Sequence, residues 1–322
     1  MRSLASLALL LTLAACTDEK LTRPPPIVAA DGGPGGTAAS DGGVPRRPGV
    51  LRVATFNVRR YFDTVCETGM CGGTNFEEIP SQAAFEAMTD RLAKGIALVD
   101  PDVIALAEIE TSRCLDALVA KLAAAGRDFP IAHLGETGAA GSVDVAILAR
   151  GAFTSLATHR KTPVTRPDGS KTSFSRELLE IRMTFGAQPV VMFAAHFRSK
   201  VEDDPGRRVG EAVATQAIVA ARVAELPEAI VLLAGDLNDT PGSEALNALE
   251  KGDLLVRVAK DKTPDEQATY TFNNQKIAID HVYVGAPAAA RYVPGSATTY
   301  RDVPNGFAGS DHAALAADFT LE

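Results

Sequence analysis

Residues 230–238 read Ile-Val-Leu-Leu-Ala-Gly-Asp-Leu-Asn. Five apolar residues in a row, closed by a glycine, make a short strand buried on both faces. Asp236 and Asn238 then stand just beyond its end. The same pattern recurs along the chain. Residues 51–58 alternate strand formers and reach Asn57, and residues 103–107 run into Glu108. Residues 190–195 run into His196, and the strand at 279–284 opens on Asp280. The last strand, 313–320, is preceded by Ser310-Asp311-His312. In layered α/β folds, polar residues at strand ends line a ligand crevice.

The segments between these strands read as helices. Ala84, Phe85, Met88, Leu92, Ile96 and Val99 recur at helical spacing over 81–99, and Asp100-Pro101 stops the run. Thr111 or Ser112 caps a helix that ends at Gly126. A long alanine-rich helix spans 207–226, and a short one spans 243–250. Further strands fall at 131–134, 143–149, 153–158 and 178–184. So many strands exceed one sheet, so the expected α/β architecture is two packed sheets flanked by helices.

The chain has 322 residues, a net charge of −8, four cysteines and no tryptophan. That length buries a core without a disulfide or metal scaffold. No long apolar run follows residue 15, which excludes a multi-span helical membrane protein. The acidic balance argues against binding nucleic acid by bulk charge, although a local basic rim can still hold phosphate.

The first 16 residues read as an address. One arginine precedes an apolar stretch from Leu4 to Ala15, too short to span a bilayer and the right length for a signal peptide. Leu13-Ala14-Ala15-Cys16 resembles the bacterial lipobox. That resemblance implies a signal peptide over 1–15 and a lipid on Cys16, anchoring an exported protein in the cell envelope. Thr17 follows the cysteine, which favours the outer membrane. Residues 17–49 hold six prolines and seven glycines, so 16–49 reads as a disordered tether. The folded, catalytic part is expected over 50–322, as a monomer. Among the other cysteines, Cys66 and Cys71 lie close together in a glycine-containing loop, which favours their pairing and leaves Cys114 buried and free.

The strand-end residues are chemically coherent. Oxygen ligands such as Asn57, Glu108 and Asp311 suit a hard cation like Mg²⁺. Two histidines with carboxylate partners suit proton transfer and charge stabilisation around phosphate. No Gly-x-Ser-x-Gly elbow and no phosphate-loop lysine motif is present. Metal-assisted hydrolysis of a phosphoester by water remains.

Thr55-Phe56-Asn57-Val58, Ala107-Glu108-Ile109-Glu110, Ala195-His196-Phe197, Gly235-Asp236-Leu237-Asn238, Ile279-Asp280-His281 and Gly309-Ser310-Asp311-His312 together resemble the endonuclease/exonuclease/phosphatase superfamily. Phe174-Ser175-Arg176-Glu177 and His196-Phe197-Arg198-Ser199-Lys200 look like its deoxyribonuclease and bacterial secreted-nuclease branches. The resemblance implies a four-layer α/β/β/α sandwich with the site at one edge of both sheets. It implies that Asn57 and Glu108 hold the metal, with Asp311 beside it: magnesium, or else manganese or calcium. It implies that Asp236 and Asn238 position the attacking water and a phosphate oxygen, and that His196 and His312 flank the phosphate. Asp144 matches the carboxylate that orients His196, and Asp280 the one that orients His312. Arg176 matches a phosphate-contacting arginine, and Arg198 and Lys200 follow His196 closely enough to join it. The resemblance leaves the general base as His312 with Asp280, or Asp236; the expectation here is His312 as base or transition-state stabiliser, with His196 on the leaving-group side.

The expected substrate is DNA or RNA. A sphingomyelinase-like or inositol-phosphate phosphatase activity is the alternative, and would want an apolar membrane-docking loop or a dense basic pocket. A non-catalytic surface-binding protein is a third reading.

Overall fold

The computed structural model describes residues 47–201, 203–302 and 305–322. The expected signal peptide, the lipid site Cys16 and the tether up to residue 46 lie outside these. Residues 47–49 already belong to the fold, since Leu321 N–H donates to the Gly49 carbonyl (3.0 Å).

In chain order the strands are β1 (Val50–Tyr61), β2 (Val103–Ile109), β3 (Ile131–Gly135), β4 (Asp144–Ala149), β5 (Ala152–Thr158), β6 (Pro163–Thr165), β7 (Lys171–Ser173) and β8 (Leu179–Phe185). They continue as β9 (Gln188–His196), β10 (Ile230–Asp236), β11 (Leu255–Arg257), β12 (Tyr270–Phe272), β13 (Gln275–Ile277), β14 (Asp280–Gly285), β15 (Thr298–Tyr300) and β16 (Ala314–Thr320). The main helices are α1 (Gln82–Val99), α2 (Ser112–Ala124), α3 (Pro205–Glu225) and α4 (Glu244–Glu250). Ser81, Thr111 and Ser243 cap α1, α2 and α4 with side-chain oxygens on backbone N–H groups.

Two six-stranded mixed sheets form, ordered β15-β16-β1-β2-β4-β3 and β11-β14-β10-β9-β8-β5. Their inner faces meet through Val53, Val103, Ala105 and Ile147 on one side and Met192, Ala194, Leu232 and Val282 on the other. The alternate residues of the same strands point outward. Phe56, Ile104 and Leu106 pack under Leu92 and Ile96 of α1 and Leu118 of α2. Phe193, Val231 and Leu233 pack under Ala212 and Val219 of α3 and Leu246 of α4. The central strands are therefore covered on both faces, which is why they read as continuous apolar runs. The result is the expected α/β/β/α sandwich. Cys66 and Cys71 form a disulfide, and Cys114 is a buried free thiol.

A buried charge network ties α3 to the second sheet. Glu180 of β8 is fully buried and accepts from Arg222 Nε of α3 (2.7 Å), from Arg182 Nε (3.0 Å) and from His159 Nε2 (3.0 Å). Burial alone would raise its pKa, but these bonds and the charge of Arg222 outweigh it and hold the carboxyl down at about 2. A depressed folded pKa contributes stability above the unfolded value of about 4.5, lost as pH falls toward 2. Glu180→Gln takes the carboxylate from two half-buried guanidinium groups, Arg182 and Arg222, which keep only Glu225, at a cost of about 1–3 kcal/mol. The expected outcome is a melting temperature about 2–12 °C lower at pH 7. The gap to wild type should narrow as thermal melts are repeated from pH 4.5 down to pH 2.5.

Candidate active site

Strand register builds the core of the site. Asp236, the last residue of β10, pairs across the parallel ladder with His196 and across the antiparallel ladder with Asp280. Three adjacent strands thus present one row of side chains. Gly235 permits the close spacing. Its φ is +154°, and a Cβ there would sit 1.8 Å from the Ala195 carbonyl oxygen. Asn238, left-handed at φ 52°, then turns the chain back. Its N–H donates to Asp236 Oδ1 (2.9 Å) and its Nδ2 to the Phe197 carbonyl (3.1 Å).

The first sheet supplies the opposing wall through two irregular strand ends. Register breaks occur after Asn57 in β1 and beside Glu108 in β2. Arg59, Arg60 and Glu108 take positive φ values of 56°, 45° and 69°. Left-handed backbone at such residues costs about 1–3 kcal/mol each and gathers at functional sites. Here it turns the Arg60 N–H onto Glu108 Oε2 (2.8 Å). Asn57 Nδ2 donates both to Glu108 Oε1 and to Asp236 Oδ2, each at 3.0 Å. Ser310 Oγ donates to the Asn57 carbonyl (2.8 Å) and accepts from the His312 N–H (3.0 Å).

The groups converge on one oxygen, Asp236 Oδ2. His196 Nε2 lies 3.6 Å from it and His312 Nε2 lies 4.0 Å from it. On its far side the His312 ring bonds Asp280 Oδ2 through Nδ1 (2.8 Å). Burial opposes charge on His312, but Asp280 and the nearby Asp236 and Asp311 prevail and push its pKa up to about 10. Burial, with Arg176 and His312 nearby, holds His196 neutral, well below the ordinary histidine value. Burial and the neighbouring Asp280 raise Asp236. Arg176 is pulled down by burial, with Glu108 and Asp236 opposing, and its NH1 donates to the Phe197 carbonyl (3.2 Å).

A model of the endonuclease/exonuclease/phosphatase family matches residues 54–312. The chain belongs to that family. Membership makes it a metal-dependent hydrolase of phosphoesters. Its fold is similar to that of truncated TDP2 from Caenorhabditis elegans, with a TM-score of 0.61, 17% identity, and 84% of this chain and 97% of that one covered. It is similar to the endonuclease/exonuclease/phosphatase from Bacteroides vulgatus at a TM-score of 0.61 and 19% identity, over 85% and 99% of the two chains. For the human Nocturnin catalytic domain with bound sulfate, the values are 0.59, 14%, 85% and 95%. No curated protein matches the chain by sequence.

The donor chemistry fits the divalent cation that the family implies. Ligand atoms of Glu108, His196 and Asp236 lie within 4.8 Å of one another, and oxygen donors dominate. Asn57 presents its nitrogen to both carboxylates, while its Oδ1 accepts from the Arg59 N–H (2.9 Å). Serving as a metal ligand therefore requires its amide to turn over. Asp311 is half-exposed, with Oδ2 3.5 Å from Arg59 Nε.

Two of the expected residues take other partners. Asp144 does not bond His196. One of its oxygens accepts from Thr137 N–H and Ser142 Oγ (both 3.1 Å), while its Oδ1 and His196 Nδ1 are each buried without a partner. Lys200 pairs with Asp239 Oδ1 (2.9 Å), which Arg208 also holds. Arg198 lies on the segment after His196, with its N–H donated to Glu211 Oε2 (2.7 Å).

Sequence reasoning missed two residues. Glu211, buried on α3, accepts from the Ser175 N–H (2.6 Å) and the Arg198 N–H, so it positions the segments carrying Arg176 and His196. A carboxylate on the apolar stripe with Val209 and Ala212 was its signal. Tyr270 packs its ring 4.8 Å from that of His312. Alternation followed by Asn273-Asn274 was its signal, a two-residue hairpin turn.

The Asp280–His312 pair sets a pH expectation. A histidine raised from 6.5 to about 10 adds stability that is whole below 6.5 and lost as pH climbs toward 10. Asp280→Asn should bring the His312 titration in metal-free protein down by more than one unit, read by NMR. An unchanged titration would show that Asp280 does not support the imidazolium.

Proposed function

We propose that this chain is a nuclease of the cell envelope, a Mg²⁺-dependent phosphodiesterase that cleaves DNA or RNA and is tethered through a lipid on Cys16. The convergence of Asn57, His196 and His312 on Asp236 Oδ2 carries this reading. A cation held by Glu108, with Asp311 and a turned Asn57, would polarise a phosphate oxygen and stabilise the charge that develops there. Asp236, raised toward neutrality, takes a proton from the water that attacks phosphorus, while the ester bond opposite breaks and its departing oxygen takes a proton from solvent. His312, held charged by Asp280, donates through Nε2 to a phosphate oxygen. His196 stays neutral on the other flank. Arg176 adds positive charge beside Glu108 and Asp236, and Asn238 fixes the carboxylate that accepts the proton. Exposed Arg59 and Arg60 border the site and suit a polyanion. The nucleic-acid reading gains support from a fold neighbour, zebrafish TDP2, described as complexed with a single-strand DNA product.

A second reading has its own observation. The disulfide-braced loop after β1 exposes Val65 (44%), Met70 (69%), Phe76 (51%) and Ile79 (46%), an apolar face that would suit a lipid phosphodiester. The two readings separate in one assay. The full chain is incubated with circular plasmid, single-stranded DNA, RNA, sphingomyelin and an inositol-phosphate panel, each with Mg²⁺ and with EDTA. Metal-dependent nicking is expected, reduced about 10²–10³-fold or more in His312→Ala. Phosphocholine or phosphate release without nucleic-acid cleavage would move the protein to the second reading.

A further inference from the structure

The hairpin β12–β13 belongs to neither large sheet. Asn273 and Asn274 close it, both left-handed (φ 46° and 62°), as a tight two-residue turn demands. It is anchored at its base, where Thr269 N–H donates to the Ile277 carbonyl (2.9 Å) and Ala313 N–H to the Thr269 carbonyl (2.7 Å). Successive strand residues point to opposite faces. On one face Thr271 donates to Asn305 Oδ1 (3.0 Å) and Lys276 pairs with Asp265 (3.3 Å). That face is held against its neighbours. The other face carries Tyr270 and Phe272.

Tyr270 packs against the His312 ring, tilted by 40°, so this second face adjoins the catalytic histidine. Phe272 stands about 7 Å further along the strand on the same side. Phe272 is 58% exposed. A lone exposed phenylalanine is ordinary. One mounted on a braced hairpin, in line with an aromatic that touches the catalytic histidine, is a platform.

We propose that Phe272 stacks on a nucleobase adjacent to the scissile phosphate, and that the site therefore takes a single-stranded stretch of nucleic acid. This rests on the nuclease reading above. In a duplex the base faces are already stacked, so an aromatic platform selects unpaired bases. Every base has such a face, so the platform selects the strand state and not the sequence.

The test uses the full chain with Mg²⁺ on DNA and RNA oligonucleotides, on blunt duplex, and on bis(4-nitrophenyl) phosphate, which has no base. Phe272→Ala should raise KM for single strands on the order of tenfold with kcat nearly unchanged. Phe272→Trp should restore KM, and hydrolysis of the small diester should stay at the wild-type rate in both variants. An abasic unit placed in turn beside the cleaved bond should cost the wild type as much as Phe272→Ala does, and cost the variant nothing more. A thermal melt checks that the exposed substitution leaves the fold intact. Wild-type KM in Phe272→Ala, or equal losses on the small diester, overturns the platform and leaves the nuclease reading standing. Hydrolysis of the small diester with no oligonucleotide cleaved overturns the nuclease reading, and the platform with it.

Discussion

Asn57 Nδ2 reaches a carboxylate from each sheet, Glu108 of β2 and Asp236 of β10, at equal distance. Most of the interface between the sheets is apolar side chains, which fill space but do not fix a lateral offset. A polar bond across the interface does. At the site end, this bridge sets how far one sheet edge stands from the other. Ser310 extends it by holding the Asn57 backbone and the His312 backbone with one hydroxyl.

The geometry that follows concentrates charge. Asp236 and Asp280 are both buried, with a carboxylate oxygen of each and a nitrogen of His312 all within 4.8 Å of one another. Glu108 and Asp311 add two more acids at the rim. Arg176 and Arg59 offset part of this. Such a cluster is stabilised by any further positive charge that reaches it, which is the physical reason a divalent cation belongs there. The left-handed residues at Arg59, Arg60 and Glu108 belong to the same economy, because the bond from Arg60 N–H to Glu108 depends on them.

Much of this was legible in the chain. Strands covered on both faces announce themselves as apolar runs, and the polar residues that close those runs are the ones that meet at Asp236. Register carried the rest, since residues at equivalent strand ends become neighbours once the ladders pair. Other features had no local signature. Nothing in Ser142-Val143-Asp144 says that its oxygen is taken by Thr137 and Ser142, and nothing after His196 says that Lys200 turns to Asp239. The first is decided by how the loop just before Asp144 folds back on it, the second by a loop 39 residues further along the chain. The positive φ values fall on arginine and glutamate, residues that do not advertise left-handed backbone. The Tyr270 hairpin is only three residues a side, below the length at which alternation is persuasive.

Gly235 has a consequence for the history of such a chain. Its missing Cβ is what lets β9 and β10 lie close enough for His196 and Asp236 to share a row. Every other amino acid would part the two strands at the point where the chemistry happens. A lineage that drifts here by one codon cannot be rescued by a neighbour giving way, because the obstacle is main chain. The position behaves as a lock on inheritance: substrate preference can wander through the hairpin and the loops, while the gap between these two strands must be passed on unaltered.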